Sequence, residues 1–161
     1  MSDATVTLEH LAARLRRLED LEAVRATWLD YCNRLDQEDF DALAEVFTAD
    51  ARLEVAGLSP AVDGTYTGRD PIARDFYART GTPTDGTPAG AMTGHLSTNM
   101  QIELDGDQAT TLAYFFEIVD DDLVLIGTYR HRMRREVDRW RIAVLHITVR
   151  YRARIHADKV R

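Results

Sequence analysis

Residues 95–119 read HLSTNMQIELDGDQATTLAYFFEIV, and their pattern is the strongest structural signal in the chain. Apolar and polar residues alternate on both sides of Asp105-Gly106-Asp107, and such alternation is typical of half-buried strands. An Asp-Gly pair between two alternating segments indicates a tight β-hairpin. The sequence therefore predicts two long antiparallel strands, over about residues 92–104 and 108–119.

The same pattern continues downstream and changes upstream. Two more long strands are predicted over residues 122–136 and 139–154, with turns at 120–121 and 137–139. Upstream, leucines at three- and four-residue spacing predict a helix over residues 5–35, and Asp20 is a candidate cap for a second helix start. Helices followed by a meander of strands indicate an α+β fold with a mostly antiparallel sheet.

Shorter elements fill the middle of the chain. A second helix is predicted from Phe40 to Phe47 with Asp39 as its N-cap, and short strands are predicted over residues 51–56 and 64–67. A third helix should start with Asp70 as its N-cap and run to about Arg79. Residues 80–91 contain three glycines and two prolines but no large apolar side chain, so we expect a loop that covers whatever lies beneath it.

Composition narrows the class of protein. The 161 residues suit one domain, 1–161, in which residues 1–18 form a possible extra helix. A net charge of −7 argues against a nucleic-acid partner. With one cysteine, Cys32, and no histidine or carboxylate cluster at ligand spacing, we expect no disulfide, no metal and no cofactor. Without a leader or a long apolar run, we expect a cytoplasmic protein with no membrane partner.

Several short motifs, in this order, resemble one superfamily. They are Leu35-Asp36-Gln37-Glu38-Asp39-Phe40, Phe47-Thr48-Ala49-Asp50-Ala51, Gly68-Arg69-Asp70-Pro71-Ile72, Gly127-x-Tyr129 and Trp140-Arg141-Ile142. Over residues 20–150 the chain is similar to the SnoaL-like, nuclear-transport-factor-2-like superfamily. The resemblance implies a cystatin-like, cone-shaped sheet whose pocket is closed by three or four N-terminal helices.

Within that superfamily the chain most resembles scytalone dehydratase, bile acid 7α-dehydratase and hexachlorocyclohexane dehydrochlorinase. These enzymes place an Asp at the end of the long helix and a His near the start of the first long strand, where Asp36 and His95 stand here. The resemblance implies that His95 is the general acid–base, that Asp36 orients it, and that Tyr31, five residues before Asp36, is a third catalytic group.

Physical reasoning also bears on these residues. Asp36 lies at the C-terminal end of its helix, where the helix dipole disfavours a negative charge, so it needs a partner such as a histidine. The alternative is a surface residue in the polar helix end Asp36-Gln37-Glu38-Asp39. Tyr129 is either a substrate-polarising group or an ordinary strand aromatic, and Tyr114 is either a core residue or a substrate contact. Trp28, two turns before Asp36 on the buried stripe, is a further candidate for substrate binding.

Strict alternation creates a conflict at His95. It places Leu96, Thr98 and Met100 on one strand face and His95 with Ser97 on the other, and the core should take the leucine face. His95 would then face solvent. The alternative is a β-bulge near residues 97–99, which would reverse the register and turn His95 inward.

Taken together, these features predict a cofactor-independent lyase of the dehydratase type, or an isomerase, that acts on a small hydrophobic cyclic substrate. The alternatives are a polyketide-cyclase-like enzyme and a non-catalytic binding or assembly module such as the β subunit of ring-hydroxylating dioxygenases. We also expect a homo-oligomer, a dimer or a trimer. The first part of the helix, with Arg14, Arg16 and Arg17 beside its leucines, is expected to pack either on a neighbouring subunit or on the chain's own core. Arg130, Arg132 and Arg134 on a strand are candidates for subunit contacts or for a solvated sheet face.

Overall fold

A computed structural model of the chain describes residues 7–80, 94–119, 123–137 and 139–154, and it opens with one long helix. Helix α1 spans Leu8–Asp36 and is capped by Thr7, whose hydroxyl accepts a hydrogen bond from the backbone N–H of His10. The second helix start predicted at Asp20 is wrong, and residues 8–18 are the first turns of α1. The Asp20 side chain instead pairs with Arg135 of the sheet.

Two shorter helices follow. Helix α2 spans Phe40–Ala44, with the predicted cap Asp39 accepting from the backbone N–H of Ala42 at 3.1 Å. It ends before Phe47, which begins a strand. Helix α3 starts with Arg69–Pro71, continues as the π-helical segment Ile72–Tyr77 and closes with Ala78–Thr80. Its N-cap is Gly68, and the predicted cap Asp70 lies inside the first turn.

Within the described residues, six strands form one curved, unclosed sheet in the order β2-β1-β6-β5-β4-β3. All neighbours are antiparallel except β1 and β6. Their bounds match the predicted strands closely, although β1 begins earlier than predicted and β3 begins at Leu96 instead of about residue 92. The strands are β1 Phe47–Ala56, β2 Gly64–Thr67, β3 Leu96–Asp105, β4 Gln108–Val119, β5 Leu123–Glu136 and β6 Arg139–Arg154. Thus the predicted α+β class with a mostly antiparallel sheet is confirmed.

The turns between the long strands follow the sequence where the structure describes them. Asp105 and Gln108 form the last pair of β3 and β4, and Gly106 between them has a φ of 56°, a left-handed conformation that glycine adopts without steric cost. The Asp105-Gly106-Asp107 hairpin is therefore confirmed. The predicted turn at 120–121 and Asp138 of the last turn lie outside the described residues.

The C-terminal half of α1 packs on the inner face of the sheet, whereas its N-terminal half does not. Val24, Trp28, Tyr31 and Leu35 are buried in the core cluster. The leucines of the first three turns instead remain exposed, with Leu8 85% accessible. Packing of these N-terminal leucines on the chain's own core is therefore excluded. Across the described residues, α1 and the shorter helices lack the long apolar stretch that a membrane span requires.

Candidate active site

A cavity of about 350 Å³ lies between the inner face of the sheet and the helices. Most of its wall is apolar, and a few polar side chains converge on it, which is the usual composition of a small-molecule site. Of the loop predicted over residues 80–91, only Thr80 belongs to the described residues, and it lines this cavity. The apolar wall is formed mainly by Leu35, Phe40, Leu58, Val62, Phe76, Phe115, Val119, Leu123, Leu125, Ile147 and Val149.

The structure brings His95 and Asp36 together at the wall of this cavity. Asp36 is the last residue of α1, and His95 immediately precedes β3. The ring Nδ1 of His95 lies 2.6 Å from Oδ1 of Asp36, and the backbone N–H of His95 donates to the same carboxylate at 3.2 Å. The imidazole is only 4% exposed, so the pair is largely removed from bulk water on the histidine side.

A bulge in β3 turns His95 inward. Thr98 pairs with Tyr114 and Gln101 with Leu112, so β3 contains one residue more than β4 between these two pairs. Asn99, inside this interval, has a φ of 55°. Such an extra residue reverses which side chains face the core. Of the two alternatives that the sequence left open, the bulge is confirmed, and the exposed position of His95 is wrong.

Sequence reasoning missed the other partner of His95, which is Glu117. Nε2 of His95 lies 3.2 Å from Oε1 of Glu117, and the hydroxyl of Tyr129 donates to the same oxygen at 2.6 Å. Alternation along β4 does place Glu117 on the face of Phe115, which lines the cavity. An acidic residue on the inner face of an otherwise apolar strand was therefore the signal that could have found it.

The two carboxylates affect the proton equilibria of the site. Burial disfavours the charged imidazolium of His95, but the hydrogen bond to Asp36 and the charges of Glu117 and Asp36 outweigh burial, so the pKa of His95 is raised. Partial burial opposes ionisation of Asp36, yet its contacts with His95 prevail and lower its pKa. Asp36 is therefore a carboxylate at neutral pH, and Nδ1 of His95 carries the proton of their hydrogen bond.

Tyr31 and Trp28 lie behind the cavity wall and do not line it. Tyr31 is fully buried, and its hydroxyl shares a 2.6 Å hydrogen bond with the hydroxyl of Tyr77, which does line the cavity. Trp28 stacks on Tyr31 with ring centroids 4.9 Å apart. Burial raises the pKa of both Tyr31 and Tyr77, so both are neutral hydrogen-bonding groups. Direct substrate contact by Trp28 is therefore wrong, and Tyr31 reaches the cavity only through Tyr77.

Tyr114 is on the other side of the sheet. It is 46% exposed, because β4 turns its neighbours Phe115 and Glu117 toward the cavity. Both the core position and the substrate contact considered for Tyr114 are therefore wrong. Tyr129, in contrast, lies at the cavity wall, where its hydroxyl donates to Glu117. Within the residues that the structure describes, no group of three or more His, Cys, Asp or Glu side chains is arranged to hold a metal ion.

Solved structures of similar fold cover nearly the whole chain. A nuclear-transport-factor-2-like protein with a cystatin-like fold from Novosphingobium aromaticivorans is 26% identical, with a TM-score of 0.72 and coverage of 91% of this chain and 92% of that one. A putative scytalone dehydratase from the same organism is 19% identical, with a TM-score of 0.68 and coverage of 88% and 91%.

A hexachlorocyclohexane dehydrochlorinase from Novosphingobium barchaimii LL02 is 16% identical, with a TM-score of 0.70 and coverage of 89% and 95%. At such identities these two enzymes share the fold and no more. No curated protein matches the sequence. The family model for the SnoaL-like domain, however, matches residues 16–146, from the middle of α1 to the last strand. By this match and by its architecture, the chain belongs to the SnoaL-like domain family.

Proposed function

We propose that this protein is a cofactor-independent lyase of the dehydratase type, acting on a small hydrophobic cyclic substrate. The observation that carries the proposal is the chain of groups Asp36–His95–Glu117 at the wall of an apolar cavity. Ionisable groups are costly to bury, and three interacting ones beside a ligand-sized cavity are more typical of an active site than of a packing core. A related isomerisation would use the same proton transfers without loss of a leaving group.

The proton transfers follow from the hydrogen bonds of His95. With Nδ1–H held by the Asp36 carboxylate, the neutral imidazole presents its lone pair at Nε2. Nε2 removes a proton from a substrate carbon, and the electron pair of the C–H bond becomes the new double bond. The imidazolium then returns that proton to the departing hydroxyl, and water leaves. One imidazole thus serves as base and as acid.

Glu117 and Tyr129 complete this arrangement. Glu117 accepts from Nε2–H once the imidazolium has formed, and Tyr129 holds the glutamate in place through the 2.6 Å hydrogen bond. The raised pKa of His95 suits a group that must donate a proton to a leaving hydroxyl near neutral pH. Because the neutral form is the base, turnover should rise with pH through the pKa of His95.

The named relatives support the same class of chemistry. A dehydratase and a dehydrochlorinase both eliminate a small molecule from a substrate, and structures with these two names share the fold of this chain. A binding or assembly module does not require a histidine between two carboxylates. Apolar side chains of similar volume at these positions would often make the protein at least as stable as the buried ionisable groups do. The cavity and its ionisable wall therefore favour the enzyme over the module.

The test is a comparison of His95→Gln with His146→Gln. His146 is a histidine on β6 that pairs with Glu54 and is about half exposed, so its replacement is a matched control. Both variants should fold with circular dichroism like that of the wild type. A panel of cyclic alcohols with the hydroxyl β to a carbonyl would be screened by mass spectrometry for loss of water.

We expect the wild type and His146→Gln to dehydrate the same compounds and His95→Gln to lose at least about 100-fold in rate, the usual contribution of a positioned acid–base group. Equal rates in the two variants would rule out His95 as the acid–base. Release of a cyclised product without loss of water would indicate polyketide-cyclase-like chemistry instead. If the protein binds compounds of the panel but converts none of them, the result would favour the binding module.

A further inference from the structure

A second bulge, in β6, changes which side chain enters the cavity at its far end. Ile126 of β5 pairs with Tyr151, but the next residue, Gly127, pairs with Val149, so Arg150 is an extra residue on β6. Without it, alternation from Ile147 and Val149 would place Tyr151 inside. With it, Tyr151 is 55% exposed, and Arg152 lines the cavity.

The bulge depends on the glycine opposite it. A Cβ atom on Gly127 would lie 2.1 Å from the carbonyl oxygen of Thr148 and 2.5 Å from the ring of Phe115, both impossible distances. Gly127 thus leaves room for the bulge in β6. Because of this bulge, Arg152 lines the cavity and Tyr151 does not.

Arg152 is an exposed residue anchored at the cavity, and none of the described residues neutralises its charge there. One guanidinium N–H donates to the carbonyl oxygen of Leu58 at 3.0 Å, in the loop that forms the adjacent cavity wall. Among the described residues no carboxylate lies within ion-pair distance of Arg152. A guanidinium has five N–H donors, so most remain available to a ligand.

The other charged groups at the cavity do not serve as its partner. Glu117 is engaged by His95 and Tyr129, and Glu38 follows the end of α1. Arg152 is therefore the one cation at the cavity wall, apart from His95, in the part of the chain that the structure describes. In a protein with a net charge of −7, only such a local cation would hold an anion in an apolar cavity.

We propose that Arg152 binds a carboxylate of the ligand, so that the cavity takes an apolar cyclic carboxylic acid. A guanidinium pairs with a carboxylate through two parallel hydrogen bonds, and this geometry selects the acid over neutral groups of the same shape. The assignment of this acid as the substrate rests on the proposed function. The binding of the acid does not, because it requires only Arg152 and the apolar wall.

The sheet register sets how far the acid lies from the reacting groups. Glu117 pairs with Leu125, and Leu125 pairs with Arg152, so the three residues form one row across β4, β5 and β6. Neighbouring strands are about 4.8 Å apart, which separates the backbones of Glu117 and Arg152 by roughly 10 Å. A carboxylate at Arg152 therefore places a ring, and not the acid itself, next to His95.

The experiment measures binding of matched probes by isothermal titration calorimetry at low ionic strength. 2-Naphthoate and 2-naphthamide have the same shape and differ in charge, and a second pair with a single alicyclic ring extends the size range. We expect the acid to bind the wild type about tenfold more tightly than the amide, as for one partly exposed charge-assisted pair. Arg152→Met should abolish this preference, and Arg152→Lys should retain part of it.

Arg150→Met is the matched control, because it removes the same charge from the same strand at a residue outside the cavity wall. It should keep the preference, and so should His95→Gln, in which catalysis is lost but Arg152 is intact. An amide that binds as tightly as its acid, failure of every acid to bind, or equal loss in Arg150→Met and Arg152→Met would overturn the proposal. Loss of turnover in His95→Gln with the acid preference retained tests the proposed function separately.

Discussion

Replacing Asp36 by Asn should lower the pKa of His95 by a measurable amount, because it removes a charge and keeps the shape of the side chain. Asp36 accepts two hydrogen bonds from His95, one from the ring and one from the backbone. An asparagine has one acceptor oxygen, and its amide NH₂ group has no acceptor to offer the second donor. The imidazolium therefore loses its charge-assisted hydrogen bond.

The size of the effect follows from the exposure of Asp36. A hydrogen bond to a charged group contributes about 1.5–3 kcal/mol and a neutral one about 1 kcal/mol. The difference is therefore about 0.5–2 kcal/mol. The Asp36 side chain is 30% exposed, so solvent screening favours the lower half of this range, about 1 kcal/mol. This free energy corresponds to a decrease of about 0.7 in the pKa of His95.

The same substitution should change stability in a pH-dependent way. The raised pKa of His95 contributes stability below the unfolded value of about 6.5, and this contribution is lost as pH rises through the folded pKa. The lowered pKa of Asp36 contributes stability above the unfolded value of about 3.9, which is lost as pH falls through the folded pKa. The pair therefore contributes most between these two values.

Two measurements test this reasoning. Nuclear magnetic resonance titration of the histidine rings gives the pKa of His95 in the wild type and in Asp36→Asn. Urea unfolding at about pH 5 and about pH 8.5 gives the loss of stability, which should be larger at the lower pH. The difference between the two proteins cancels His131, whose pKa burial lowers to about 3 in both. Asp50→Asn, which removes an exposed partner of Arg134, is the control and should leave the His95 titration unchanged.

An unchanged pKa of His95 in Asp36→Asn would refute the reasoning, since the 2.6 Å contact could then carry no charge-dependent energy. A loss of stability that grows above pH 8 would refute the sign of the linkage. An equal decrease in Asp50→Asn would show that the field of the whole protein, and not the Asp36 contact, sets the pKa.

Three further predictions concern the backbone that positions the site. Gly127→Ala should destabilise the protein by at least about 1–3 kcal/mol in urea unfolding, because its Cβ would overlap the carbonyl of Thr148; wild-type stability would contradict the bulge. Deletion of Asn99 should remove the β3 bulge and turn His95 outward, seen as a His95 pKa near that of a free histidine in the same titration; a pKa that stays raised would be the opposite result. Glu38→Gly should raise stability by about 0.5–1 kcal/mol, or about 1–4 °C in Tm by calorimetry, since Glu38 has a φ of 55° at the end of α1; a lower Tm would show that its side chain contributes more than the backbone strain costs.

The candidate site could be predicted in part, and the pattern of successes has a physical basis. The resemblance identified Asp36 and His95 as the catalytic pair. The position of Asp36 at the C-terminal end of a helix also indicated that its negative charge needs a partner. Glu117 was not assigned, because its proximity to His95 depends on the pairing of β3 with β4 after the bulge. Trp28 was assigned to the wrong role because helical spacing gives the buried face of α1 but not which part of that face meets the cavity.

Periodic patterns and turn residues act locally, so the α+β class, the long strands and the hairpin at residues 105–107 could be predicted from the sequence. Which side chains meet depends instead on how the elements pack and on the register of the strands. Each bulge is a single extra residue with no compositional signal of its own, yet it reverses the facing of the residues beyond it. In this way His95 and Arg152 line the cavity and Tyr151 faces solvent, and the contact between Asp36 and His95, 59 residues apart, depends on the packing of α1 on the sheet.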